Sequence, residues 1–160
     1  MKNIAILAVI FGAFVFTTSC KKIEEPTAVN VIESAGTATI SGIAYADLDD
    51  TDPEDEFAPS GTKLLITVNQ NQFPGATTYA NNGNKLMYTA TVGAQGAWSV
   101  TVKAPKTAIT AVVWPQDFRE DYKDANDDTQ SAEFYYDGAS FNVTVVDGSA
   151  PIQDFKYDRN

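Results

Sequence analysis

The chain has 160 residues, with 21 acidic and 11 basic residues, a formal net charge of −10 and no histidine. This charge argues against a nucleic-acid partner, because proteins that bind nucleic acid need a positive surface to neutralise phosphates. The lack of histidine excludes Ser-His-Asp and Cys-His catalysis and removes the usual ligand of zinc, copper and non-haem iron.

The chain begins with the layout of an export signal. Lys2 is followed by an apolar run over residues 4–16, then by the small residues 17–19 and the only cysteine, Cys20. The apolar run is shorter than a membrane span requires, and a positive start, an apolar centre and a small-residue end are typical of a cleaved signal. We predict a signal peptide over residues 1–19, whose removal leaves 160 − 19 = 141 residues and a net charge of 10 − 21 = −11.

The residues Thr17-Thr18-Ser19-Cys20 resemble the lipobox of bacterial lipoproteins. The resemblance implies cleavage before Cys20 and a lipid on the new N-terminal cysteine, which would anchor the protein in a membrane. A catalytic or metal-binding role for this thiol has no support, because the chain contains no histidine and no second cysteine. We expect a lipid-anchored protein of the outer membrane or cell surface of a Gram-negative bacterium.

Residues 20–35 predict a tether between the lipid and the folded domain, because they are mixed in character, contain Pro26 and have no sustained periodicity. Lys21-Lys22 followed by Glu24-Glu25 resembles the short signal that directs some Bacteroidota lipoproteins to the cell surface. A solvated cluster of linker charges explains these residues equally well.

Residues 36–160 alternate between short β-branched runs and turn residues, and no window has helical periodicity. This pattern predicts a single all-β domain, an antiparallel Greek-key β-sandwich of seven or eight strands. A weak run over residues 77–80 is a further candidate strand. The main predicted strands cover residues 37–46, 62–69, 85–92, 98–103, 107–114, 132–136, 141–145 and 152–157.

Five features of the sequence carry more specific expectations. Gly42 interrupts the first strand, which indicates a bulge or the close approach of another strand. Trp98 is in phase with the apolar residues of its strand, so we expect it in the core. Residues 107–114 are apolar on both faces, which predicts a central strand. Asp137-Gly138 predicts a β-hairpin, and residues 115–131 predict a long polar loop.

The spacing of several strand and turn residues resembles the prealbumin-like sandwiches called carboxypeptidase-regulatory-like or transthyretin-like domains, over residues 37–103. That family is named for a domain without a catalytic role, so the resemblance implies no active-site residues and we expect no enzyme activity. The residues that carry it are Ile40-x-Gly42, Pro59-x-Gly61-x-x-Leu64 and Thr89-x-Thr91-x-x-x-x-Gly96-x-Trp98-x-Val100.

Two acidic segments, residues 47–56 and 117–128, hold 13 of the 21 acidic residues. Carboxylates at alternate positions of a flexible loop suit calcium, the only cofactor the sequence suggests. Solvated turns that resist aggregation are the alternative interpretation. If residues 77–80 form a strand, the two segments lie at opposite ends of the sandwich; if not, they share an end.

The candidate calcium ligands are Asp47, Asp49, Asp124, Asn126 and Asp128. An EF-hand is excluded, because Thr129 and Tyr135 replace its glycine and glutamate.

Aromatic residues near the second acidic segment are candidates for binding a sugar. Trp114 ends an apolar strand, and Phe118 and Tyr122 follow in the predicted loop. A small apolar cluster beneath a long loop explains the same three residues equally well.

Together these features predict a lipid-anchored envelope protein with a non-catalytic binding or structural role. The second hypothesis is a carbohydrate-binding surface lipoprotein of a glycan-uptake or adhesion system, with or without calcium. The expected partners are the membrane, through the lipid on Cys20, and either a glycan or another envelope protein.

Overall fold

The computed structural model describes residue 32, residues 35–76 and residues 84–160, and these fold into two β-sheets around one core. The all-β sandwich is therefore confirmed. The signal peptide, most of the tether and the weak run over residues 77–80 lie outside the described residues. None of the helices in the described ranges is long and apolar enough to span a membrane.

The described residues form ten strands, more than the seven or eight predicted. The additional elements include the two-residue β2 and strand β7, which the sequence did not suggest. The strands are β1 (Gly36–Ala46), β2 (Glu56–Phe57), β3 (Lys63–Asn69), β4 (Lys85–Thr91), β5 (Ala97–Ala104), β6 (Ile109–Pro115), β7 (Phe118–Lys123), β8 (Thr129–Tyr135), β9 (Phe141–Val145) and β10 (Phe155–Arg159).

The first sheet has the order β2-β1-β10-β8-β7, with β5 paired to β1, and the second has the order β4-β3-β6-β9. The second sheet is antiparallel throughout. The first sheet differs from the predicted antiparallel sandwich at one pair, because β1 and β10 are parallel. The chain before β10 runs beside β1, where Ser41 N donates to Pro151 O and Gln153 N donates to Ser41 O. The Greek-key connectivity remains a prediction.

The alternation of apolar residues places the core as expected. In β5, Trp98, Val100 and Val102 are buried while Ser99 and Thr101 are exposed, so the core position predicted for Trp98 is confirmed. Strand β6 lies between β3 and β9, which confirms that residues 107–114 supply a central strand. Only one face of β6 is fully buried, however, and its other residues are half-buried.

The predicted polar loop over residues 115–131 is wrong, because most of it forms the antiparallel hairpin β7–β8. Polar residues obscure the strand pattern in β7, where Phe118 and Tyr122 are half-buried but Glu120 between them is exposed. Asp137-Gly138 does not close a hairpin either. It connects β8 to β9, which belong to different sheets.

Gly42 lies where three parts of the chain meet. A Cβ atom added at this position would collide with the backbone carbonyl of Gln153 and would lie 3.1 Å from Nε1 of Trp98. The close approach expected at this glycine is therefore confirmed. It allows the segment that leads into β10 to run against β1 while the indole packs beneath.

We expect Gly42→Ala to lower the free energy of unfolding by about 1–3 kcal/mol, because the new methyl group must displace backbone from its position. Chemical denaturation measures this loss. Gly93→Ala is the matched control, since its Cβ would lie 3.4 Å from the Ala97 carbonyl, an ordinary contact. Equal effects of the two substitutions would contradict the close-packing explanation.

Candidate functional site

The three candidate ligand-binding aromatics do not share one surface. Trp114 lies on β6 of the second sheet, whereas Phe118 and Tyr122 lie on β7 of the first sheet. All three are half-buried. A single platform formed by all three is therefore absent from the described structure.

Phe118 and Tyr122 pack inward against other rings. Phe118 stacks on Phe134 with ring centroids 5.1 Å apart and planes tilted by 4°, and it meets the edge of Tyr157 at 4.9 Å. Tyr122 contacts Phe134 at 6.5 Å. Burial, and then the charge of Asp117, raise the pKa of Tyr157 well above its usual range, so its hydroxyl stays neutral. This packing favours the small apolar cluster over sugar binding for Phe118 and Tyr122.

Arg159 connects the hairpin to the first acidic segment. Its guanidinium carbon lies 3.8 Å from the centre of the Tyr122 ring, and Nη2 donates to both carboxylate oxygens of Asp50 at 2.7 and 3.0 Å. Its Nη1 donates to the backbone carbonyl of Asp47 at 3.4 Å. One side chain near the C-terminus thus holds β7 and the chain after β1 together.

We expect Arg159→Ala to lower the free energy of unfolding by about 1–3 kcal/mol, because it removes a stacked cation and a charge-assisted hydrogen bond together. Arg159→Lys should restore less than half of this, since an ammonium cannot reproduce the planar contacts. The control is Lys156→Ala, which breaks the exposed ion pair with Asp55 and should cost less than about 1 kcal/mol. Equal losses in Arg159→Ala and Lys156→Ala by chemical denaturation would contradict this role.

The two acidic segments lie side by side. Asp50 N donates to Lys123 O and Lys123 N donates to Leu48 O, both at 2.8 Å, and Asp49 forms a parallel bridge with Lys123. Strand β7 runs in the same direction as β1, since β10 is parallel to β1 and two antiparallel pairings follow. The C-terminal end of β7 and the turn over residues 124–128 therefore lie at the same end of the fold as the first acidic segment.

The candidate calcium ligands are engaged within their own turns. Oδ1 of Asp124 accepts from the backbone N–H of Asn126 at 2.9 Å and of Asp128 at 3.1 Å. Oδ1 of Asp49 accepts from the hydroxyl and the N–H of Thr51 at 2.6 and 2.9 Å. No group of three acidic side chains in the described ranges is arranged to hold a metal ion. Calcium binding by these residues, with Asp47, stays an untested prediction.

These turn hydrogen bonds favour the ionised carboxylates. The bonds from Asn126 and Asp128 lower the pKa of Asp124 below the ordinary 3.8, and the bonds from Thr51 lower that of Asp49 in the same way. Such a group stabilises the fold above pH 3.8, and this contribution is lost as the pH falls through the depressed folded-state pKa.

We expect Asp124→Asn to flatten the pH dependence of stability between about pH 2 and 5, because asparagine still accepts the turn hydrogen bonds but does not titrate. Denaturant unfolding at a series of pH values measures this. Asp137→Asn is the control, since Asp137 is exposed and its side chain accepts no hydrogen bond from the described residues. An unchanged pH profile in Asp124→Asn would contradict the turn assignment.

The outward side of the second sheet is a separate candidate surface, which we call the Trp114 face. It carries two lysines and no acidic residue. Nε1 of Trp114 donates to Oγ1 of Thr67 at 3.3 Å. Met87 beside them is 66% exposed. The face consists of Lys63, Leu65, Thr67, Asn69, Lys85, Met87, Thr89, Thr91, Thr110, Val112, Trp114, Asn142 and Thr144.

Of this surface, the sequence analysis identified only Trp114. The alternation within each strand was visible, but the pairing of β3 with both β4 and β6 places Lys63, Thr89 and Trp114 together. An aromatic pair on the first sheet was not predicted either: Phe57 is 44% exposed, and its ring centre lies 5.8 Å from that of the half-buried Tyr45.

No protein-family model and no curated protein matches this sequence. Among solved structures, the chain is similar to the crystal structure of the major plantain pollen allergen Pla l 1, with 11% sequence identity and a TM-score of 0.35, over 77% of this chain and 95% of that chain. A likeness this distant supports no inference about function.

Proposed function

We propose that this protein is a lipid-anchored, non-catalytic binding or structural accessory of the outer envelope of a Gram-negative bacterium, related to bacterial lipoproteins with a transthyretin-like domain. Export and attachment rest on residues 1–20. The folded domain supplies surfaces for a partner, and the lipid on Cys20 keeps those surfaces at the membrane.

The hydrogen bonds and ion pairs of the acidic side chains are the main support for a non-catalytic role. The carboxylates of Asp49 and Asp124 accept hydrogen bonds within their own turns, and that of Asp50 pairs with Arg159. A pair of carboxylates that hydrolyses a glycoside faces a shared cleft, and one member has a raised pKa. The two resolved shifts among the described carboxylates are both downward. These features support binding or a structural role.

Carbohydrate binding is the second candidate function, and the position of Trp114 favours it. Its indole is held on the outward side of a sheet by the bond to Thr67, with hydroxyl and amide side chains around it. An amphipathic ring beside such groups suits a sugar, which has apolar ring faces and many hydroxyls.

We expect Cys20→Ser to move the protein from the membrane fraction to the soluble fraction with its fold intact, because no other segment of the sequence predicts attachment. Fractionation of cells followed by circular dichroism of the released protein measures both properties. Ser19→Ala is the control and should remain in the membrane fraction, since it keeps a small residue before the cysteine. Retention of Cys20→Ser in the membrane would overturn the lipoprotein proposal.

A further inference from the structure

We propose that the Trp114 face binds an acidic polysaccharide, one with carboxylate or sulfate groups along its chain. This rests on the binding role proposed above and deepens it, by assigning a surface and a ligand class. Three properties of the face support it: the orientation of the indole, the distribution of charge and the arrangement of hydrogen-bonding side chains.

The indole of Trp114 lies along the sheet. Trp114 is directly opposite Leu65 on β3, and its Nε1 reaches Thr67, two residues further along that strand. A ring bonded to a diagonal neighbour extends over the sheet surface and not away from it. Thr67 is only 6% exposed although it is on the outward side, as a residue beneath such a ring would be. The half-buried indole therefore presents one ring face outward.

The charge of the face is opposite to that of the protein. The chain carries a net charge of −10, yet the thirteen side chains of this face include Lys63 and Lys85 and no acidic residue. The outward side of the first sheet, in contrast, mixes the acidic residues Asp121, Glu133 and Asp158 with the basic residues Arg119 and Lys156. The two sheets thus differ in that only the first presents acidic side chains on the outward side of its strands.

The two lysines mark the ends of the face. Lys63 begins β3, and Lys85 is paired with Asn69 at the other end of that strand. Lys63 and Asn69 are six residues apart on an extended strand, so Lys63 and Lys85 lie about 20 Å apart along the strand direction. Neither forms an ion pair with a described carboxylate. Lys63 Nζ donates to Oγ1 of Thr91 at 3.0 Å, a bond that uses one of its three donors.

This distribution favours an anionic glycan over a neutral one. Neutral sugars accept and donate hydrogen bonds, so carboxylate acceptors strengthen a site that binds them. The absence of carboxylates therefore gives no advantage in binding a neutral sugar. A polyanion is repelled by each carboxylate that it approaches, which makes an acid-free strip on an acidic protein informative. The ring face of Trp114 contacts the sugar, the threonines and Asn142 bond its hydroxyls, and the lysines meet the anionic groups.

The test measures binding of the purified full chain, carrying Cys20→Ser to remove the contribution of the lipid, to a panel of acidic polysaccharides. The panel includes polygalacturonate, alginate and a sulfated glycan, each compared with a neutral counterpart such as methyl-esterified polygalacturonate. We expect binding to at least one acidic member, weaker binding to its neutral form and a decrease in affinity as salt rises.

Substitutions then test whether the polysaccharide binds at the Trp114 face. Thr89→Glu places a carboxylate in the row of Trp114, across Leu65, and should weaken binding about tenfold or more. Lys63→Gln and Lys85→Gln should each weaken it about threefold, as for exposed charge pairs. The matched controls are Ser99→Glu, an exposed position on β5 of the other sheet, and Lys106→Gln, an exposed lysine outside the face. Both should bind as the unsubstituted chain does.

Three outcomes overturn the proposal. The first is no binding to any acidic polysaccharide, and the second is binding that the Thr89→Glu and Lys63→Gln variants leave unchanged. The third is binding of the face to vesicles of anionic phospholipid, or to a second copy of the chain, in place of glycan. None of these results affects the fractionation of Cys20→Ser, so failure of the glycan assignment is distinguishable from failure of the lipoprotein proposal.

Discussion

The parallel pairing of β1 with β10 is the constraint on which the first sheet depends. Strand β1 pairs with β5 along one edge, and the chain before β10 runs along its other edge. β10 then pairs with β8, and β8 with β7, so the hairpin joins the sheet through β10, and Lys123 of β7 also bonds to the chain that follows β1. The approach is close enough that residue 42 has no room for a side chain. A glycine in the first strand therefore determines where the last strand can lie.

The C-terminal end of β10 also organises the acidic end of the molecule. Arg159 meets Tyr122 from the hairpin and Asp50 from the first acidic segment, which brings two negatively charged segments together around one cation. Asp55 and Asp127 pair with Lys156 and Lys123, and other carboxylates accept hydrogen bonds in local turns or remain exposed to solvent, which reduces their repulsion. Many of the acidic residues thus crowd one end of the fold, whereas the outward strand residues of the second sheet include none.

The accuracy of the sequence analysis varied with the strength of the local pattern. Strands with clean alternation, such as β5, were predicted with the correct buried face, because period-two alternation follows directly from backbone geometry. Strand β7 was missed because the exposed Glu120 separates its two aromatic residues. Asp137-Gly138 was expected to close a hairpin, because this dipeptide favours a tight turn. The dipeptide does not indicate which sheet the next strand joins, and here that strand joins the other sheet. Trp114 was identified as a candidate, but its neighbours on the face were not.

Local sequence patterns are enough to predict the all-β class, the central position of β6, the burial of Trp98 and close packing at Gly42. These depend on composition and on neighbours a few residues apart. The fold alone establishes that β10 is parallel to β1, that the acidic segments are adjacent and that Trp114 shares a face with two lysines and no carboxylate. Those features depend on which strands pair and in what register. Much of this pairing joins residues far apart in the chain, as between Asp50 and Arg159, which are 109 positions apart, and no local pattern records it.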